Sequence, residues 1–80
     1  MGVFYVSSRR VMVGTIGKAR ELSDIAERCS FSVFASDGKI TVNAKSLIGV
    51  LNLDLQQKWG LTYDGENELL ERYIEKNSVE

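Results

Sequence analysis

The stretch VNAKSLIGVLNL, residues 42–53, sets one serine ahead of five large aliphatic side chains, Leu47, Ile48, Val50, Leu51 and Leu53. Ser46 is suited to cap a short helix, because its hydroxyl can accept a hydrogen bond from an orphan amide of the first turn. At about 100° per residue, Leu47, Leu51 and Ile48 fall near 0°, 40° and 100°, and Leu53 and Val50 near 240° and 300°. Those are two separate apolar faces on one short element. Val50 and Leu53 suffice to seat it on a sheet. Leu47, Ile48 and Leu51 then either form an exposed patch of the kind that marks a protein interaction site, or are buried under a loop or a second copy. Ser46 also carries two readings. As a plain cap it stabilises the helix by about 1 kcal/mol relative to alanine. As a phosphate acceptor it would place about −1.5 to −2 charge where the helix dipole favours it, with Lys45 alongside.

The pattern on either side predicts a small mixed domain. Upstream, FSVFAS and KITVN (residues 31–36 and 39–43) read as short β segments joined by Asp37-Gly38, a common hairpin signal. Before them, Leu22, Ile25, Ala26 and Cys29 recur at i, i+3, i+4 and i+7, one stripe of an amphipathic helix starting near Arg20. Glu21 and Asp24 then lie near its start and Arg28 near its end, as the helix dipole prefers. GTIG (14–17) reads as a flexible loop, and VFYVSSRRVMV (3–13) as one long or two short strands. Downstream, WGLTY (59–63) is a strand and DGEN turns into a last helix, where Leu69, Leu70, Tyr73 and Ile74 share a face. The order is β-α-β-β-α-β-α. The expected fold is α+β: an open-faced sandwich, its antiparallel sheet covered on one face by three helices.

Composition narrows the chemistry. The 80 residues make a single domain, residues 1–80, with 44% hydrophobic and 26% charged side chains and neither a repeat, a linker nor a proline. A formal net charge of −1 offers no bulk attraction to nucleic acid. No apolar run approaches the roughly 20 residues of a membrane span, no leader pattern precedes the first strand, and Val6 occupies the position where a myristoylation motif needs Ser or Thr. A cytoplasmic location is the expectation. One cysteine permits no internal disulfide, and the absence of histidine excludes Cys/His zinc sites and Ser-His or Cys-His nucleophile pairs within one chain. Nothing in the residues implies a cofactor or a metal.

The segment GKITVNAKSLIGVLNLDL (38–55) closely resembles the stretch around the regulatory serine of the HPr family, histidine-containing phosphocarriers of the sugar phosphotransferase system. The shared pieces are G-K, V-N, K-S, the two aliphatics, G-V and the following leucines, and YDGEN resembles that family's turn into its final helix. The resemblance runs from about Ile16 onward and implies the HPr fold. It departs at the site that names the family. Where HPr proteins carry G-[IL]-H-A-R-P-A, this chain has TIGKARELS (15–23). Aligning A-R on Ala19-Arg20 puts Lys18 in the histidine's place, whereas a gapless count back from Phe31 puts Gly17 there, and Glu21 replaces the proline. Lysine at neutral pH is a cation without a free lone pair, so a phosphohistidine relay through this degenerate loop, Gly17, Lys18 and Arg20, is not expected.

The resemblance implies a protein that is not an enzyme, a regulator of the histidine-less Crh type. Ser46 matches the serine phosphorylated by HPr kinase, and Leu47, Ile48, Leu51 and Arg20 match positions that dock protein partners. Those partners would be HPr kinase, a transcriptional regulator or phosphotransferase components, with no nucleic acid and no membrane. Two rival readings stand beside it. One is a small phosphate- or anion-binding module using Lys18 and Arg20; the other is a non-phosphorylatable paralogue that competes with HPr for its partners. Cys29 reads as a buried structural thiol, Trp59 as edge packing, and Arg9, Arg10, Lys18 and Arg20 as a solvated face by default, with a small basic cluster beside the degenerate loop as the alternative.

Overall fold

The computed structural model describes residues 6–79. The elements run β1 (Ser7–Val11), α1 (Ile16–Glu27), β2 (Val33–Ser36), β3 (Thr41–Asn43), α2 (Leu47–Val50), β4 (Trp59–Tyr63) and α3 (Glu68–Asn77), so the expected β-α-β-β-α-β-α order is present. Residues 3–5 of the expected first strand lie outside the described residues. The four strands form one antiparallel sheet in the order β1-β4-β2-β3. Its register sets Arg9 opposite Leu61 and Leu61 opposite Ala35, one row across three strands.

Side chains alternate across a strand, and here the alternation separates two environments. Val11, Trp59, Leu61, Tyr63, Val33 and Ala35 point to one face and are buried. Leu22 and Ala26 of α1, Val50 of α2 and Leu70, Tyr73 and Ile74 of α3 complete that core. Ser8, Arg10, Thr62, Phe34 and Asn43 alternate onto the opposite face, where Phe34 keeps 42% exposure. The domain is thus α+β, a four-stranded antiparallel sheet with three helices, an arrangement compatible with an open-faced sandwich.

Several local expectations are corrected. The first helix starts at Ile16, four residues before Arg20, because the Thr15 hydroxyl accepts from the Lys18 amide at 3.1 Å and caps it. Gly17 and Lys18 are therefore helical, not loop, and Glu21 and Asp24 lie mid-helix, leaving the first turn without an acid. The β2–β3 connection is longer than a two-residue turn, since the last pair is Ser36 with Thr41. Asp37 holds it: one carboxylate oxygen accepts from the amides of Lys39 and Ile40, and the other from Asp54 in the loop ahead of β4. These amides, Asp54's foremost, hold the Asp37 carboxyl down to about 2.

Trp59 is not an edge residue. It is fully buried on the interior strand β4, and its indole donates to the Asp54 carbonyl at 2.9 Å. Leu69 stays 42% exposed, and the buried stripe of α3 runs Leu70, Tyr73, Ile74 and Asn77. Cys29 is buried as expected, with burial pushing its thiol up and the Lys45 charge partly opposing that.

Candidate functional site

The candidate surface is built on α2. Asn43 orders the approach: its side-chain oxygen accepts from the Lys45 amide and its carbonyl from the Ser46 amide, both at 2.9 Å. Ser46 then caps the helix through a 3.1 Å bond from the Gly49 amide to its hydroxyl oxygen. Gly49 brings the helix close to the sheet, because a Cβ there would lie 3.3 Å from both the Ser46 hydroxyl and Val42 of β3. Val50 and Leu53 are buried, as the helical angles require of the seating face.

The other face divides. Ile48 is 78% exposed and Leu51 43%, whereas Leu47 is half-buried and packs against the core. The exposed apolar pair is therefore Ile48 and Leu51. Ser46 itself is exposed, so its hydroxyl faces solvent while serving as the cap. Lys45 does not stand free beside it. Its ammonium donates to the Cys29 carbonyl at 2.9 Å, just past the C-terminal end of α1, where helix carbonyls lack partners.

That bond also places α2 relative to Gly17, Lys18 and Arg20 of α1. The approach to α2 thus lies beside the end of α1, whereas Gly17 and Lys18 lie in its first turn, roughly 14 Å of helix rise before its last residue, Glu27. Gly17, Lys18 and Arg20 are all exposed. The Lys18 backbone is pinned from both sides, its amide on Thr15 and its carbonyl accepting the Tyr73 hydroxyl at 2.7 Å. Burial, with the Glu21 charge adding to it, raises the Tyr73 phenol above its ordinary range. Arg20 sits on α1, which packs against α2.

Of the basic residues Arg9, Arg10, Lys18 and Arg20, the first two part company across the sheet. Successive strand residues point to opposite faces, so Arg9 meets α3 and Arg10 leaves on the other side of the sheet. Arg9 lies 3.6 Å from Glu71, whose second oxygen accepts from the Tyr63 hydroxyl at 2.9 Å. Burial foremost, then the bond to Glu71, push Tyr63 up to about 12. Among the described residues no group of three or more Cys, Asp or Glu side chains comes together to hold a metal, and no helix is long and apolar enough to cross a membrane.

Sequence reasoning missed Lys45 and Tyr73 as the residues that fix the two ends of this surface. A lysine beside a cap residue and a tyrosine on a helix stripe carry no local mark of a partner 16 or 55 positions away. Comparison with protein-family models, with curated proteins and with solved structures gives no match to this chain.

Proposed function

We propose that this chain is an HPr-like regulatory or docking protein that engages a protein partner through α2 and the adjoining surface of α1. The observation that carries the reading is Ile48, an aliphatic side chain left 78% exposed on a helix whose opposite face is fully seated. With Leu51 it supplies the apolar centre of a contact, and exposed Arg20 supplies a charge toward its rim. The partner classes are those the resemblance implies: HPr kinase, a transcriptional regulator or phosphotransferase components.

In this reading the protein is cytoplasmic and performs no catalysis, and its topology is that of HPr. It carries no phosphohistidine, because these 80 residues hold no imidazole. Ser46, exposed and capping α2, is the phosphorylation site. A phosphoryl group there would sit next to Ile48 and alter the contact surface by charge, without help from Lys45, which is held by Cys29. The paralogue that competes with HPr uses the same surface and differs only in leaving Ser46 unmodified. The anion-binding reading through Lys18 and Arg20 has weaker support, because the Lys18 amide is already taken by Thr15.

The test pairs modification with binding. Incubation with HPr kinase and ATP, followed by intact mass, is expected to add one phosphoryl group to wild type and none to Ser46→Ala. Calorimetry with the kinase and with phosphotransferase components is expected to show binding that Ile48→Lys removes. Ile48 is the informative position, since a lysine at half-buried Leu47 would also disturb the core. Absence of both modification and binding would overturn the reading; binding without modification would assign the competitor form.

A further inference from the structure

We propose that the open face of the sheet, opposite the helices, holds a binding site for a small hydroxyl-bearing oxyanion, centred on Arg10, Lys58 and Gly60. A groove of about 580 Å³ lies there. Its floor is the bare backbone of β4 at Gly60, where a Cβ would meet no atom within 4 Å. Arg10 of β1 and Ser36 of β2 are the register partners of Gly60 on either side. Strands lie about 4.8 Å apart, so these two side chains flank a slot roughly 10 Å across. Ser8 and Met12 extend the β1 wall, and Gln56 to Lys58 close the end ahead of β4.

The chemistry of the lining selects the ligand. Arg10 and Lys58 are both exposed and make no ion pair among the described residues, in a chain whose net charge is −1. The lining holds one carboxylate, Asp37, and both of its oxygens are occupied by the amides of Lys39, Ile40 and Asp54. Two donor-only cations thus face the slot against one carboxylate engaged elsewhere, which suits an oxyanion. Ser8, Ser36, Gln56 and Gln57 add groups that both donate and accept, as ligand hydroxyls require. The volume lies within the roughly 300–1,000 Å³ of small-molecule sites. Phosphate monoesters and hydroxycarboxylates share this chemistry.

This site is separate from the α2 surface and stands or falls independently of it. Amide chemical shifts of the 80-residue chain are followed while inorganic phosphate, glycerol 3-phosphate and glycerate are titrated separately. Saturable shifts are expected at Arg10, Ser36, Lys58 and Gly60, with glycerol 3-phosphate or glycerate binding more tightly than inorganic phosphate. The stronger of those two identifies the anion as phosphoryl or carboxylate. Arg10→Gln and Lys58→Gln should each weaken binding about tenfold, the loss of one charge-assisted contact. Gly60→Val should abolish binding by filling the floor while the fold persists, since a β-branched side chain suits an open strand position. Linear, unsaturated shifts with all three probes, or saturation unchanged in Gly60→Val, would overturn the proposal. Inorganic phosphate binding as tightly as both hydroxylated probes would remove its hydroxyl component.

Discussion

The ammonium of Lys45 is bonded to the backbone carbonyl of Cys29 at 2.9 Å, tying the approach to α2 onto the end of α1. Lys45→Met keeps the aliphatic stem and removes the bond. It should lower the unfolding free energy by about 1.5 kcal/mol, the lower part of the range for charge-assisted bonds because the site is only half-buried. Urea unfolding measures this directly, and an unchanged midpoint would mean that the carbonyl is equally well served by water.

Ser46→Ala should destabilise by about 1 kcal/mol through loss of the bond from Gly49, while Ser46→Asp should retain most of that stability because aspartate also caps. Equal losses in the two variants would show that the cap contributes nothing. The pair of variants also separates the structural role of Ser46 from any role in modification.

At Gly65 the constraint is steric. A Cβ there would come within 2.1 Å of the Phe31 ring, which stacks on Tyr63 with centroids 6.1 Å apart. Gly65→Ala should cost about 1–3 kcal/mol, the range for forced overpacking. Adding Phe31→Ala should cost less in that background than in wild type, because the clash is then gone. Full additivity in the double-mutant cycle would refute the contact.

Tyr63 sets an alkaline limit. Its folded-state value near 12 exceeds the ordinary phenol value of about 10, so the stability it contributes is complete below pH 10 and lost as pH rises through 12. Denaturant midpoints taken across that interval should fall for wild type and fall less steeply for Tyr63→Phe. The raised Tyr73 phenol keeps part of the slope in that variant. Identical slopes in the two proteins would exclude Tyr63 as a source.

Asp37 works in the opposite direction. Its carboxyl is held near 2, against an unfolded value of 3.8, so its contribution is complete above that unfolded value and disappears as pH falls through 2. Asp37→Asn should remove this part of the acid dependence and loosen the tie to the Asp54 amide, seen as faster hydrogen exchange there. Exchange as slow as in wild type would show that the tie is not limiting.

The element order was legible because the apolar period changes between 2 and 3.6 along the chain, and the two faces of α2 because five aliphatics on so short a helix cannot share one side. What escaped depended on partners distant in sequence. Thr15 lay hidden between two glycines that suggested a loop, and only its bond to Lys18 reveals a cap. Trp59 looked peripheral because nothing local says that β4 inserts between β1 and β2. Leu47 and Ile48 differ by one position, yet only packing decides that the first is half-buried and the second exposed. The separation of Arg9 from Arg10 needs no tertiary information, since adjacent residues of any strand point to opposite faces. The groove over Gly60 does need it, because it gathers side chains from β1, β2 and two loops over the bare backbone of β4.

During synthesis, β1 leaves the ribosome long before the strand it must pair with. Val11 pairs with Trp59 and Ser7 with Tyr63, and among the described residues β4 is the only strand that touches β1. A nascent chain that stops short of Trp59 therefore carries one strand with no neighbouring strand and a β2–β3 hairpin with an open edge, so the sheet cannot close until β4 has been made.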